Sequence, residues 1–218
     1  MILVPLEADV TMYRWPLMNF VLIGTITLLS LLAFGAPEEA GLEAFVLSEW
    51  NIPGMLGHIF LHGGLIHLLG NMLFLWAFGN AVCAKVGNFG YLIAFLAVTL
   101  ASATVHLMFD GRPAIGASGA VNGIVGMFLV YFPRNDIRCF WWFFFRFGTF
   151  HISSIWMILL WLLFDLWGAS GTGDGVAHFA HLGGLVAGAM IGFGTLVFNV
   201  VEMTDTECSL LEMMKGGR

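Results

Sequence analysis

Apolar residues arrive in six long blocks separated by short polar stretches: Leu17–Phe34, Ile59–Val82, Phe89–Phe109, Gly116–Phe132, Ile152–Trp167 and Val176–Val200. A helix that crosses a bilayer needs about 20 such residues, because only a helix satisfies its own backbone groups in lipid. The pattern predicts an all-α polytopic membrane protein with six transmembrane helices over residues 17–200. A short N-terminal segment, 1–16, and a C-terminal tail, 201–218, flank it. The tail reads as a short extension of the last helix. None of the six blocks contains Lys, Arg or Glu, and Asp165, near one end of the fifth, is their only acid.

Composition supports the same class. Apolar residues make up 59% of the 218 and charged residues 10%, with a mean hydropathy of +0.91. A soluble domain carries roughly 25% charged residues, so this chain cannot cover a globular surface with polar groups. A net charge of −6 with eight Lys plus Arg leaves no basic footprint for a nucleic-acid partner. The segment before the first block carries Glu7 and Asp9 against Arg14. That is the wrong charge for a cleaved signal peptide, and an uncleaved anchor is expected.

Basic residues set the expected orientation. With both termini in the cytoplasm, the inside segments hold Arg14, Lys85, Arg134, Arg138, Arg146, Lys215 and Arg218, and the outside segments hold Arg112. The positive-inside rule fixes that topology. It puts Cys83, Cys139 and Cys208 in a reducing compartment, where structural filling rather than a disulfide framework is expected. The run Phe140-Trp-Trp-Phe-Phe-Phe145, flanked by arginines, suits an anchor at the membrane interface.

Polar side chains within a membrane are costly, so each is a functional candidate. They gather in three places, all toward the outer half of helices running from outside to inside. In the second block, His67 and Asn71 are four apart and share a helix face. Both can donate hydrogen bonds to a developing negative charge, although a pair like this also serves to join neighbouring helices. At the start of the fourth block stands Gly116-Ala-Ser118-Gly-Ala-Val-Asn122. From Gly116 to Phe132 a helix rises about 25 Å, less than the roughly 30 Å hydrocarbon core. Ser118 is therefore expected below the outer surface, at a first helical turn whose free N–H groups suit an oxyanion. A membrane serine taken alone is more often a packing residue.

The third place is His178-Phe-Ala-His181-Leu-Gly-Gly184, continued by Gly188 and Gly192. Glycines at every fourth position let another backbone approach closely, and Gly116, Gly119 and Gly123 offer a matching face. If the two faces meet, Ser118 and His181 lie at similar depth. A serine within reach of an imidazole is the minimum for an activated hydroxyl nucleophile.

These residues resemble the rhomboid family of intramembrane serine proteases. The resemblance spans Leu17 to Val200 and rests on His67-Leu-Leu-Gly-Asn71, Gly116-Ala-Ser118-Gly119 and Ala180-His181-Leu-Gly-Gly184 followed by Gly188. It implies a serine endopeptidase that cleaves transmembrane segments of membrane proteins near their outer end, with substrates entering sideways from the lipid bilayer. It implies a Ser118–His181 dyad without a third acid. His67, Asn71 and the Ser118 backbone N–H would form the oxyanion hole, with no cofactor and no metal. The bacterial inner (plasma) membrane is the expected location. Two departures from the family pattern stand out. Asn122 occupies a position where many members carry an aromatic residue beneath the histidine, and residues 35–58 lack the Trp-Arg pair common in the first outside loop. Asn122 and His178 are therefore candidate supports of His181, His178 alternatively being a solvated interfacial residue.

Other classes fit less well. A soluble α/β-hydrolase needs G-x-S-x-G after a strand, and position 120 is alanine. Gly171-Thr-Gly-Asp174 spells the G-x-G-D of an intramembrane aspartyl protease and Asp165 lies nearby, but Asp174 falls in a Gly/Ser-rich loop rather than an apolar helix, whereas paired carboxylates need a shared desolvated site. His58, His62 and His67 do not share a helix face and have no acidic or cysteine partner in their block, which argues against zinc. A transporter would need ion-coordinating residues at the midplane. The strongest alternative is a catalytically weak, rhomboid-like protein that binds membrane clients without cutting them. The sequence carries no signature of oligomeric state.

Overall fold

The structure is a computed structural model and describes residues 2–171, 175–204 and 207–216. Its chain begins with strand β1 (Ile2–Ala8) and helix α1 (Leu17–Phe34). A loop with short 3-10 turns follows, then the short helix α2 (Ile52–Gly57). Next come α3 (Leu65–Val86) and α4 (Asn88–Phe109), then α5 (Ser118–Tyr131), strands β2 (Asp136–Phe143) and β3 (Arg146–Ser153), α6 (Ser154–Ala169), α7 (His178–Val197) and α8 (Leu210–Met214).

Among the described residues four helices, α1, α3, α4 and α7, are long and apolar enough to cross a membrane. Helices α5 and α6 are apolar but shorter, at 14 and 16 residues. They correspond to the fourth and fifth expected spans. The second expected span is shifted. Residues 61–64 are not helical, so α3 starts at Leu65 rather than Ile59 and runs on to Val86, where Gly87 at φ +80° ends it. Inside α3, Leu75–Gly79 winds as a π-turn, which displaces the regular ladder. The Asn19 amide answers it, donating to the Leu75 carbonyl at 2.8 Å and to Asn80 Oδ1 at 2.8 Å. Tyr91 donates to Asn19 Oδ1 at 2.7 Å. The one buried asparagine of α1 therefore ties α1, α3 and α4 together.

The all-α expectation is corrected by a three-stranded antiparallel sheet in the order β1-β2-β3. The aromatic run Phe140–Phe145, read from sequence as a membrane anchor, contributes to β2 and to the turn into β3. Ile137 and Cys139 point inward from β2 and are fully buried. The alternation is the two-residue period of a strand. Phe144, at φ +52°, and Phe145 form the hairpin tip and are exposed. The tail also differs from expectation. α7 ends at Val197, and α8 is a separate helix with its own capping box, in which Ser209 Oγ accepts from Glu212 N–H and the Glu212 carboxylate accepts from Ser209 N–H. Lys85 at the end of α3 pairs with Glu207 in the intervening segment. The three cysteines are free.

The centre is the crossing of α5 and α7. An added Cβ at Gly184 would collide with the Gly119 carbonyl, and one at Gly188 with the Gly123 carbonyl. The two glycine faces therefore touch backbone to backbone, as their spacing predicts. Around α5 nearly every side chain is buried. The sheet, the Lys85–Glu207 pair and the C-terminus of α5 gather at one end of the molecule. The N-terminus of α5 lies about 20 Å away, since 14 residues rise 1.5 Å each. That opposite end holds Ser118 and His181.

Candidate active site

Ser118 is the first residue of α5. The first i to i−4 bond of that helix runs from Val121 N–H to the Ala117 carbonyl at 2.9 Å. The N–H groups of Ser118, Gly119 and Ala120 precede that ladder, the usual state of a helix start. Three backbone bonds hold the loop before it. Gly116 N–H donates to the His58 carbonyl at 2.9 Å, and Ala114 and Leu47 exchange a pair of 3.0 Å bonds.

Across the glycine crossing, His181 stands in the first turn of α7. Its Nε2 lies 2.8 Å from Ser118 Oγ. Its Nδ1 lies 2.8 Å from Asp165 Oδ1, and the same carboxylate oxygen lies 2.8 Å from His178 Nδ1. An ionised carboxylate only accepts, so both rings donate through Nδ1. His181 is thereby left with its Nε2 lone pair facing the serine hydroxyl. His178 is buried, and its ring sits where a side chain at position 168 would be, so Gly168 makes room for it. Asn122 faces the same cavity as Ser118 and His181, but its amide donates to the Ser118 carbonyl at 3.0 Å.

The expected oxyanion donors come from α3. His67 Nδ1 accepts a long 3.4 Å bond from Gly63 N–H, which leaves the proton on Nε2. That edge faces Gly116, where an added Cβ would stand 2.7 Å from Nε2. Gly116 has φ +113°, a conformation that favours glycine, so the close ring and the backbone geometry both require it. Asn71 is buried and its Nδ2 has no partner among the described residues. An unanswered buried donor costs about 1–3 kcal/mol, and its place is in the wall of the cavity that contains Ser118 Oγ.

Two cavities meet at the Ser118–His181 pair. One of about 320 Å3 lies between α3, α5, α6 and α7, with Phe74 and Trp161 in its wall. The other, about 450 Å3, opens under the loop at Pro113–Ile115 and Val176–Ala177. The first also carries the apolar side chains of Ile66, Val121 and Phe164, and the second is lined mostly by loop residues.

A family model described as a Rhomboid domain matches residues 49–198. This chain belongs to the rhomboid family. It is 30% identical over 159 residues to rhomboid protease GluP of Bacillus subtilis (strain 168), covering 73% of this chain and 28% of that protein. It is 29% identical over 136 residues to rhomboid protease GlpG of Salmonella paratyphi A and, to the same extent, to that of Klebsiella pneumoniae, covering 62% of this chain and 46% of theirs. The rhomboid described here thus spans less than half the length of these relatives.

The structure brings Ser118, His181, Asn122, His67 and Asn71 around one cavity, and Gly116, Gly119, Gly184 and Gly188 into the close contacts beneath it. His178 is not a solvated interfacial residue; it packs on Gly168 and bonds to Asp165. Sequence reasoning passed over two contributors. Asp165 was visible as the only acid in an apolar block, which is itself a signal. His62 is the other. Its Nδ1 lies 2.9 Å from Ser30 Oγ, and its Nε2 accepts a long 3.5 Å bond from Ala117 N–H. Its ring meets that of His67 edge-on, with centroids 5.1 Å apart. His62 therefore braces both the loop before Ser118 and the His67 ring. Asp174 of the G-x-G-D stretch lies outside the described residues. Asp165, His178 and His181 offer ligand atoms within 4.8 Å of one another, close enough to hold one metal ion, but the two hydrogen bonds to Asp165 already account for that closeness.

Proposed function

We propose that this rhomboid is an intramembrane serine endopeptidase that cleaves transmembrane segments of membrane proteins. The observation that carries the reading is the 2.8 Å contact between Ser118 Oγ and His181 Nε2, at a helix start and in the wall of an apolar cavity. Ser118 attacks the scissile carbonyl carbon while its proton passes to His181 Nε2. The carbonyl oxygen becomes an oxyanion, for which Asn71 Nδ2, His67 Nε2–H and the Ser118 N–H are the available donors. His181 then gives its proton to the leaving amine, and an ester to Ser118 remains. A water, deprotonated by His181, releases the second product and restores the hydroxyl. Each step uses groups in the chain and needs no cofactor.

The two cavities suit the two reactants. A transmembrane segment would enter from the lipid between α3 and α6, past Phe74 and Trp161, whose ring centroids are 4.5 Å apart. Water would come through the loop side. In this reading all six apolar helices lie within the bilayer, residues 17–200 form the catalytic unit, and both termini face the cytoplasm with the site opening to the other side.

The test is cleavage of a reporter transmembrane substrate in liposomes by the wild type, Ser118→Ala and His181→Ala. Cleavage by the wild type, lost in both variants, is the expected result. A wild type that binds such segments across several sequences yet cuts none overturns the reading in favour of a client-binding protein.

A further inference from the structure

Asp165 is the only acid in the six apolar blocks of the chain, and a charge on such a helix is retained only where partners hold it. Among the described residues it has two, both through Oδ1 at 2.8 Å: Nδ1 of His181 and Nδ1 of His178. The carboxylate and both imidazoles are largely shielded, with side-chain accessibilities of 14% for Asp165, 14% for His181 and 11% for His178. One acceptor oxygen between two ring nitrogens imposes the same tautomer on both rings. For His181 it is the tautomer that turns a lone pair toward Ser118 Oγ. His178, wedged over Gly168, in turn keeps the carboxylate from swinging away from His181.

We propose that Asp165 is a positioning residue for the reaction: it fixes the His181 tautomer and balances the positive charge that His181 acquires when it takes the serine proton. The relay runs Ser118, His181, Asp165, with His178 holding its acidic end. No bond to substrate passes through Asp165, and it need not change its own protonation. The inference rests on the reading of Ser118 and His181 as nucleophile and base.

The experiment compares wild type, Asp165→Asn and Asp165→Glu in liposomes, measuring kcat, KM and the rate of Ser118 labelling by a fluorophosphonate. Loss of a group that acts mainly in the transition state lowers kcat and leaves KM alone. For Asp165→Asn the expected result is a fall in kcat of roughly 100-fold, with KM within about 2-fold. The labelling rate should fall in parallel, and Asp165→Glu should recover part of the loss. Asp165→Asn with kcat within about 2-fold of wild type overturns the inference, as does a loss seen only in KM. The outcomes separate the two readings. A wild type that neither cleaves nor labels refutes the nucleophile assignment; active wild type, dead Ser118→Ala and unaffected Asp165→Asn refute only the role of Asp165. Should Asp165→Asn not fold, nitrogen-15 NMR of labelled histidines in the wild type decides the matter, with His181→Ala used for assignment. A proton on His181 Nδ1 is expected, and one on Nε2 overturns the proposal.

Discussion

In the proposed reaction, the side chains divide into those that react and those that wait. Asn71 waits: its buried Nδ2 has no partner among the described residues, so it is ready for a charge that exists only during reaction. Removing one such donor typically costs about 3 kcal/mol of transition-state stabilisation. Asn71→Ala is therefore expected to lower kcat by roughly 100-fold while leaving thermal stability unchanged or slightly raised, because an unanswered donor leaves the interior. Melting temperatures and kcat measured on one preparation check both halves. The proposed site residues were legible in the sequence because each sits in a short local pattern: His67 and Asn71 one turn apart, Ser118 among glycines, His181 one turn before Gly184. Asp165 was not. It lies 16 residues before His181 and 47 after Ser118 on a third helix, with no local partner, and packing alone brings its carboxylate to the histidines. Asn122 was read as a candidate support of His181. Its amide turns instead to the Ser118 carbonyl, and the Nδ1 edge of His181 meets Asp165.

The helices owe their places to what they lack as much as to what they carry. α5 and α7 approach until Gly184 and Gly188 meet the carbonyls of Gly119 and Gly123. There is no flexible side chain there to move aside. Gly184→Ala is expected to destabilise the fold by about 1–3 kcal/mol and, by parting Ser118 from His181, to lower fluorophosphonate labelling even in the fraction that stays folded. Wild-type labelling in folded Gly184→Ala would contradict this account of the crossing. The spacing of those glycines made the crossing readable from sequence. The sheet was not readable, because Phe140–Phe145 is aromatic throughout and shows no polar alternation, while β1 pairs with it from more than 130 residues away. The tail supplies another test at this scale. Burial alone would raise the Glu207 carboxyl, but the Lys85 ammonium and bonds from Thr204 outweigh it and hold it below the ordinary glutamate value. A depressed carboxylate stabilises above its unfolded value and loses that contribution as pH falls through the folded one. Glu207→Gln should therefore make the segment after Val201 more sensitive to protease at neutral pH. The wild type should approach the variant only in acid, below the normal glutamate range.

Taken whole, the molecule has one end closed by strand pairing and an ion pair and another that holds the proposed site. β1, the β2–β3 hairpin and the Lys85–Glu207 pair close the first end. Ser118, His181, His67 and Asn71 share a cavity at the second. The distribution of basic residues predicts which end faces the cytoplasm. With the three native cysteines replaced, Glu43→Cys should react with a membrane-impermeant maleimide on intact spheroplasts and Arg134→Cys only after lysis; the reverse pattern would invert the topology. The central claim, that Ser118 is a nucleophile driven by His181, is tested most directly by mapping where a fluorophosphonate attaches. Peptide mass spectrometry of the wild type in a bilayer should find the adduct on Ser118, with none in His181→Ala. An adduct on another serine, or one on Ser118 that survives His181→Ala at the wild-type rate, would contradict it.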